Sequence, residues 1–304
     1  MKNLIAFFLL ITSLTSYAES QEKIEIPMKV ERDVSLISVN IGNIEIPNIL
    51  LDTGFDYDGI IIYNPDYRDS LDLTGAIDVQ IGGAGGGDDS NALLIDSASF
   101  SIGDVKMIDQ RIIILQSNRF KGFPSNGVIG YSVFGYYITE CDYDRNIMSL
   151  YTTDNVDLDS TWTAIPLYFK GNNVPWLDAS IVIEKEYPIP LSVYIDFAAR
   201  DVIMLLEKPD MKFSLPKDTV DVYIGTGLSG DIYGKRGSIS KLIIGKHEFY
   251  NVIASLATSK VRSKQDNADA ILGSGALRRF NIIFDYSHQI LYLKPNSHFN
   301  DPFK

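Results

Sequence analysis

Ile49-Leu50-Leu51-Asp52-Thr53-Gly54-Phe55 is an apolar run that ends on an acid, a hydroxyl and a glycine. The apolar part reads as a buried strand, so the Asp52 carboxylate arrives at a fixed place rather than on a loose tip. Thr53 can hydrogen-bond sideways into a neighbouring segment. Gly54 lets backbone approach the carboxylate and offers it a bare N–H. Alone, the tripeptide is a weak signal that reads equally well as a turn after a core strand. A second copy downstream gives it weight.

That copy is Ile195-Asp196-Phe197-Ala198, whose acid stands 144 residues after Asp52. Three more pairs keep an offset of 143. They are Gly127-Val128-Ile129-Gly130 with Ala270-Ile271-Leu272-Gly273, Asp142-Tyr143 with Asp285-Tyr286, and Ile81-Gly82-Gly83 with Ile224-Gly225-Thr226. Four anchors at offsets of 143 or 144 make an internal repeat. The chain therefore divides into an N-terminal lobe over 19–152, an acidic linker over 153–160 and a C-terminal lobe over 161–304.

Outside the anchors the pattern is strands. Val34 to Val39, Ala76 to Ile81 and Asp221 to Ile224 alternate apolar with polar residues, whereas Ile112 to Leu115 and Ile282 to Phe284 suit strands buried on both faces. Only Ser132 to Tyr136 and Gly275 to Phe280 read as single short helices. The fold class is all-β.

Residues 1–18 stand apart. A short basic head, an apolar stretch from Leu4 to Leu14 and the small residues Ser16 and Ala18 form a cleavable signal peptide. It carries no cysteine near the cleavage point for a lipid anchor, and no later run is apolar enough for a membrane span. The expected location is secreted or periplasmic. The remaining 286 residues suffice for two cores. Loss of Lys2 takes the formal charge from −12 to −13, which argues against nucleic acid as a partner. Cys141 is the only cysteine, so there is no internal disulfide framework. The three histidines lack metal-ligand spacing, which leaves little for a zinc or Ser-His-Asp mechanism. The expected cofactor and metal are none.

With these residues in place, the whole mature chain resembles the two-lobed aspartic proteases of the pepsin/retropepsin type, in particular secreted bacterial members built as a tandem of retropepsin-like halves. The resemblance implies two similar β-barrel-like lobes with a cleft between them, each giving one aspartate, here Asp52 and Asp196. It implies that Val128-Ile129-Gly130 and Ile271-Leu272-Gly273 thread beside the two triplet strands. It also implies that a hairpin over about 81–91, with Gly82, Gly83, Gly85, Gly86 and Gly87, closes over the cleft as a flap. The partner would be a peptide or protein substrate and the working unit a monomer.

The chemistry needs two carboxyls because they have opposed tasks. Held close, they share one proton: the ionised member takes a proton from a water, and the protonated member donates to the scissile carbonyl. Thr53 and Gly54 support the first acid. In the second triplet Phe197 stands where the family has a Thr or Ser whose hydroxyl helps lock the triplet loops together, and Ala198 replaces glycine. Two readings follow: a working peptidase whose second loop is held by packing, or a catalytically inactive peptide- or glycan-binding protein on the same scaffold.

Other features read blandly. Gly225-Thr226-Gly227-Leu228-Ser229-Gly230 matches a dinucleotide fingerprint, but no helix follows and the segment occupies the repeat position of the flap. Asp52, Asp56 and Asp58 lack the spacing and closing Glu of a calcium loop. Tyr131, Tyr136, Tyr137 and Tyr233 read as core or rim aromatics.

Overall fold

The structure is a computed structural model that describes residues 23–303 apart from 155, 185–186, 209–212, 214–215, 217 and 258–266. The expected signal peptide, 1–18, lies outside the described residues.

Two sheets of eight strands share one plan. In the first, the order is β2 (Lys29–Glu31), β3 (Val34–Ile41), β4 (Ile44–Leu51), β9 (Gly127–Ile129), β5 (Gly59–Ile62), β8 (Val105–Leu115), β7 (Ser90–Ile102), β6 (Ile77–Ile81). In the second it is β13 (Tyr168–Phe169), β14 (Pro175–Val182), β15 (Ile189–Asp196), β20 (Ala270–Gly273), β16 (Ile203–Leu206), β19 (His247–Ala257), β18 (Gly230–Ile244), β17 (Val220–Gly227). Strand by strand the two orders correspond, as the repeat requires.

A third sheet belongs to both halves. It runs β1 (Lys23–Pro27), β11 (Ile147–Tyr151), β10 (Ile138–Asp142), β21 (Phe280–Asp285), β22 (Ile290–Pro295), β12 (Thr163–Pro166). Its midpoint is the antiparallel pair β10–β21, with Thr139 opposite Phe284 and Cys141 opposite Ile282. The approximate two-fold relation of the halves passes through that pair, and Cys141 is buried in it. Among the described residues, no helix is long and apolar enough to cross a membrane.

Side-chain alternation sorts the strands around the acids. In β15, Leu191, Val193 and Ile195 enter the main core, while Tyr194 lies on the other face, which it shares with Asp196. In β4, Ile49 and Leu51 enter the core and Leu50 lies opposite. The main core is continuous through both halves. Two smaller apolar clusters line the acid-bearing faces, one around Ile61, Tyr63, Phe120 and Val128, the other around Trp176, Tyr194, Met204 and Ile271.

The two expected helices are present but shorter and one residue earlier: α2 is Tyr131–Phe134 and α3 is Ser274–Leu277. The following strand takes Phe280. A third turn, α1 (Pro65–Arg68), adds to the two expected, and its start is marked in the sequence. Asn64 caps it by accepting from the Asp66 N–H at 3.0 Å, and Pro65 occupies the first turn.

Candidate active site

Each triplet strand is flanked by a short parallel partner. Leu51 lies opposite Ile129 and Asp196 opposite Gly273. The Asp52 N–H donates to the Ile129 carbonyl at 2.9 Å, which carries the β4–β9 ladder up to the acid. Gly130 and Gly273 are glycine for want of space. A Cβ on Gly130 would stand 2.2 Å from the Asp52 and Phe55 carbonyl oxygens, and one on Gly273 2.2 Å from that of Asp201.

The two loops are joined across the lobe boundary by one side chain. Thr53 is 2 % exposed. Its Oγ1 donates to the Ile195 carbonyl at 2.8 Å and accepts from the Phe197 N–H at 3.0 Å. One hydroxyl of the first lobe thus satisfies two backbone groups of the second, on either side of Asp196. Phe197 returns no hydroxyl. Its ring, 0 % exposed, packs edge-on against Phe134 of α2 and Phe284 of β21 at centroid distances of 6.0 and 5.5 Å, with Tyr143 at 6.4 Å. Aromatic packing at the lobe junction stands where the reciprocal hydrogen bonds would be.

The carboxyls meet at Gly54. A Cβ there would lie 3.0 Å from Oδ1 of Asp52, 3.5 Å from Cγ of Asp196 and 3.6 Å from its Oδ2. Glycine at 54 is a matter of space between two acids, not of backbone angle. The Gly54 N–H donates to Asp52 Oδ1 at 2.7 Å. On the other side, Ala198 and Ala199 N–H donate to Asp196 Oδ1 at 3.0 and 2.9 Å. Ala198 keeps an ordinary backbone φ, so its methyl group is accepted without left-handed strain.

The two carboxyls lie close enough for each to shift the other's proton affinity. Both lie deep among protein atoms while keeping part of their surface open. Burial raises both pKa values, and the charge on Asp196 adds to the rise at Asp52; the two backbone donors on Asp196 work in the opposite direction. Acids this close titrate together rather than independently. Tyr63 and Tyr286 stand near enough to Asp52 to feel its charge. Burial, foremost, holds both phenols neutral, and Tyr63 pairs with Ser125 Oγ at 2.5 Å.

The glycines at 82, 83, 85, 86 and 87 form the loop between β6 and β7. Its strand residue Ile81 packs on the cluster that holds Leu50, so the hairpin lies over the Asp52 face. Ile224 of β17 packs likewise on the cluster that holds Tyr194, next to Asp196. The two tips meet. Gly87 N–H donates to the Ser229 carbonyl at 2.6 Å, Ser229 N–H to the Ala84 carbonyl at 3.0 Å, and Gly83 N–H to Ser229 Oγ at 3.0 Å. Close approach explains two of the glycines at the seam: a Cβ on Gly87 would stand 2.5 Å from the Ser229 oxygen and one on Gly227 2.0 Å from that of Ala84, whereas Gly86 has open space around it. The repeat marked both hairpins, but nothing in the sequence announced that Ser229 joins them. Among the described residues no group of three His, Cys, Asp or Glu stands together as a metal site.

No protein-family model matches the chain, and no curated protein matches its sequence. Among solved structures, the crystal structure of an aspartic proteinase from Irpex lacteus matches with a TM-score of 0.57 at 12 % identity, over 92 % of this chain and 99 % of that one. At that identity the likeness concerns the fold: all-β, two lobes, the architecture of an aspartic protease.

Proposed function

We propose that the chain is an aspartic endopeptidase of the secreted bacterial, tandem retropepsin-like type, acting on peptides or proteins in the cleft between its lobes. The observation that carries this reading is the placement of Asp52 and Asp196. They come from equivalent strands of two lobes, come together beside Gly54 and have raised pKa values. A singly protonated pair has both tools for peptide hydrolysis. The ionised carboxylate draws a proton from the attacking water, and the carboxylic acid donates to the carbonyl oxygen as the tetrahedral intermediate forms. The proton then passes to the leaving nitrogen without a covalent acyl-enzyme. Thr53 ties the two loops together and Phe197 packs beneath them, which supports a fixed separation of the acids. The exported location and monomeric state are part of the same proposal.

Asp52→Asn and Asp196→Asn should each lower cleavage of a peptide library by about 10²–10⁴-fold, the worth of a positioned acid or base, with circular dichroism unchanged. The Asp-Phe-Ala triplet supports a second reading, a peptide- or glycan-binding protein without catalysis. That reading requires wild-type protein to bind a peptide or a glycan and cleave none from about pH 3 to about pH 8, a span that brackets ordinary carboxylate and imidazole ionisation.

A further inference from the structure

The loops that follow the two triplets end in different chemistry. Phe55 packs on the apolar cluster of the Asp52 face and Ala199 on that of the Asp196 face, so each loop leaves along a wall of the cleft. The next residue after Ala199 is Arg200; its equivalent in the first lobe, 143 positions earlier, is Tyr57. Both are exposed. Arg200 reaches across the lobe boundary, where its Nε donates to the Arg32 carbonyl at 2.9 Å. Arg32 and Asp33 form the turn between β2 and β3, with φ of 50° and 70° at two residues that are not glycine. Left-handed backbone at such residues is held by its surroundings. Here Arg200 holds the carbonyl, and Arg278 holds the acid, its Nε 2.8 Å from Asp33 Oδ1. On the other side of the acid pair the corresponding contact is made by an amide: Asn173, from the turn between β13 and β14, donates to the Asp56 carbonyl at 3.0 Å.

The acids around Arg32 and Arg200 are already engaged. Asp33 is taken by Arg278, and Asp201 by Arg236 at 2.9 Å and Ser255 at 2.6 Å. Glu31 is hydrogen-bonded to Lys29, with Arg32 only at longer range. Among the described residues, therefore, two exposed arginines meet at the lobe boundary without a hydrogen-bonded carboxylate, in a chain whose formal charge is −12. An arginine stays charged at any working pH, and its planar fork of donors fits a carboxylate. With Nε fixed on the Arg32 carbonyl, Arg200 has its two Nη groups to offer. We propose that Arg200, with Arg32 adding to its field, is an anion subsite that selects peptides carrying an aspartate or glutamate side chain on the Arg200 side of the scissile bond. The selection is one-sided, because Tyr57 and Asn173 take the matching places across the acid pair. The proposal rests on the peptidase reading for the ligand's being a peptide.

The test separates binding from cleavage. Peptide pairs that differ only in Glu against Gln, with the exchange moved along the chain, are titrated calorimetrically into Asp52→Asn, Asp52→Asn/Arg200→Gln and Asp52→Asn/Arg32→Gln, and are offered to the wild type for cleavage. In Asp52→Asn, Glu should bind about tenfold more tightly than Gln at one or two adjacent positions, an effect between that of an exposed ion pair and that of a sheltered charge-assisted hydrogen bond. Mapping the wild-type cut should put those positions on one side of the scissile bond. The gap should close with Arg200→Gln, narrow by about two- to threefold with Arg32→Gln, and shrink as salt is raised from about 0.05 to about 0.5 M. Asp52→Asn/Arg200→Glu should turn the preference towards lysine. Equal binding within every pair, no binding by any pair, or a gap that survives Arg200→Gln overturns the subsite, even if the wild type cleaves the peptides. A gap lost with Arg200→Gln, while the wild type cleaves neither member of the pair, supports the subsite and removes the peptidase reading.

Discussion

The two lobes share eight-stranded sheets of identical order and bring an aspartate to the same place, yet they hold those aspartates differently. The first uses Asp-Thr-Gly: a hydroxyl that reaches across the boundary and a bare Cα between the acids. The second uses Asp-Phe-Ala: two backbone donors on the carboxylate and an aromatic ring in the shared core. Placing a carboxylate depends on strand order and on the glycine that lets the parallel partner approach, and both lobes kept these. Locking the loops together can be done from one side, since a hydroxyl has both a donor and an acceptor to give.

Removing the one-sided lock should do the most damage. Thr53→Val keeps the shape but leaves the Ile195 carbonyl and the Phe197 N–H without their partner, at about 1–3 kcal/mol for each buried group. Denaturant unfolding should show that loss and cleavage should fall with it, while Thr53→Ser restores both. A stable, active Thr53→Val protein would mean that the second lobe is held by packing alone.

Phe197→Ala tests the other side of the comparison. A fully buried aromatic truncated in a core costs about 3–5 kcal/mol. Because the ring touches Phe134 and Phe284, the two lobes should lose stability together in a single transition. Separate melting of the halves would show the junction to be less shared than the continuous core implies.

The acids themselves give a smaller, pH-dependent effect. Their folded pKa values are raised, so between the ordinary carboxylate range and the folded value the native state holds a proton that the unfolded chain has released. Stability therefore falls as pH rises through that window. Asp52→Asn removes the penalty. The variant should be more stable than wild type above the window, by about 1.4 kcal/mol for each tenfold difference in proton affinity. The advantage should vanish below about pH 4, the ordinary carboxylate range. Thermal unfolding across pH reads the effect, and an advantage that persists in acid would count against a shared proton.

The smallest effect belongs to Ala198→Gly. The methyl is carried without an unusual φ, so its removal should cost about 0.4–1 kcal/mol through the unfolded chain and leave cleavage unchanged. Gly54→Ala, with a Cβ 3.0 Å from Asp52 Oδ1, should instead lower cleavage sharply at similar stability.

The chain's own order of residues determined the strand-rich class, the repeat and the equivalence of Asp52 with Asp196, each a matter of period or spacing, and a buried sheet tolerates few departures from either. That the Gly130 and Gly273 segments thread beside the triplets was implied by the family resemblance. The start of α1 is legible too, in the capping Asn64 and in Pro65 of its first turn. What only the tertiary structure decided lies between residues far apart in sequence. Phe197 looks like a defect in a triplet until Phe134 and Phe284 close around it. Thr53 has two partners because Ile195 and Phe197 lie opposite it, more than 140 positions away. Ser229, Leu228 and Arg119 carry no local pattern, yet the lobes bring them to one seam. Hydrogen bonds and van der Waals contacts act over a few ångströms, so which groups share them is settled by how the two sheets meet and not by composition or spacing along the chain.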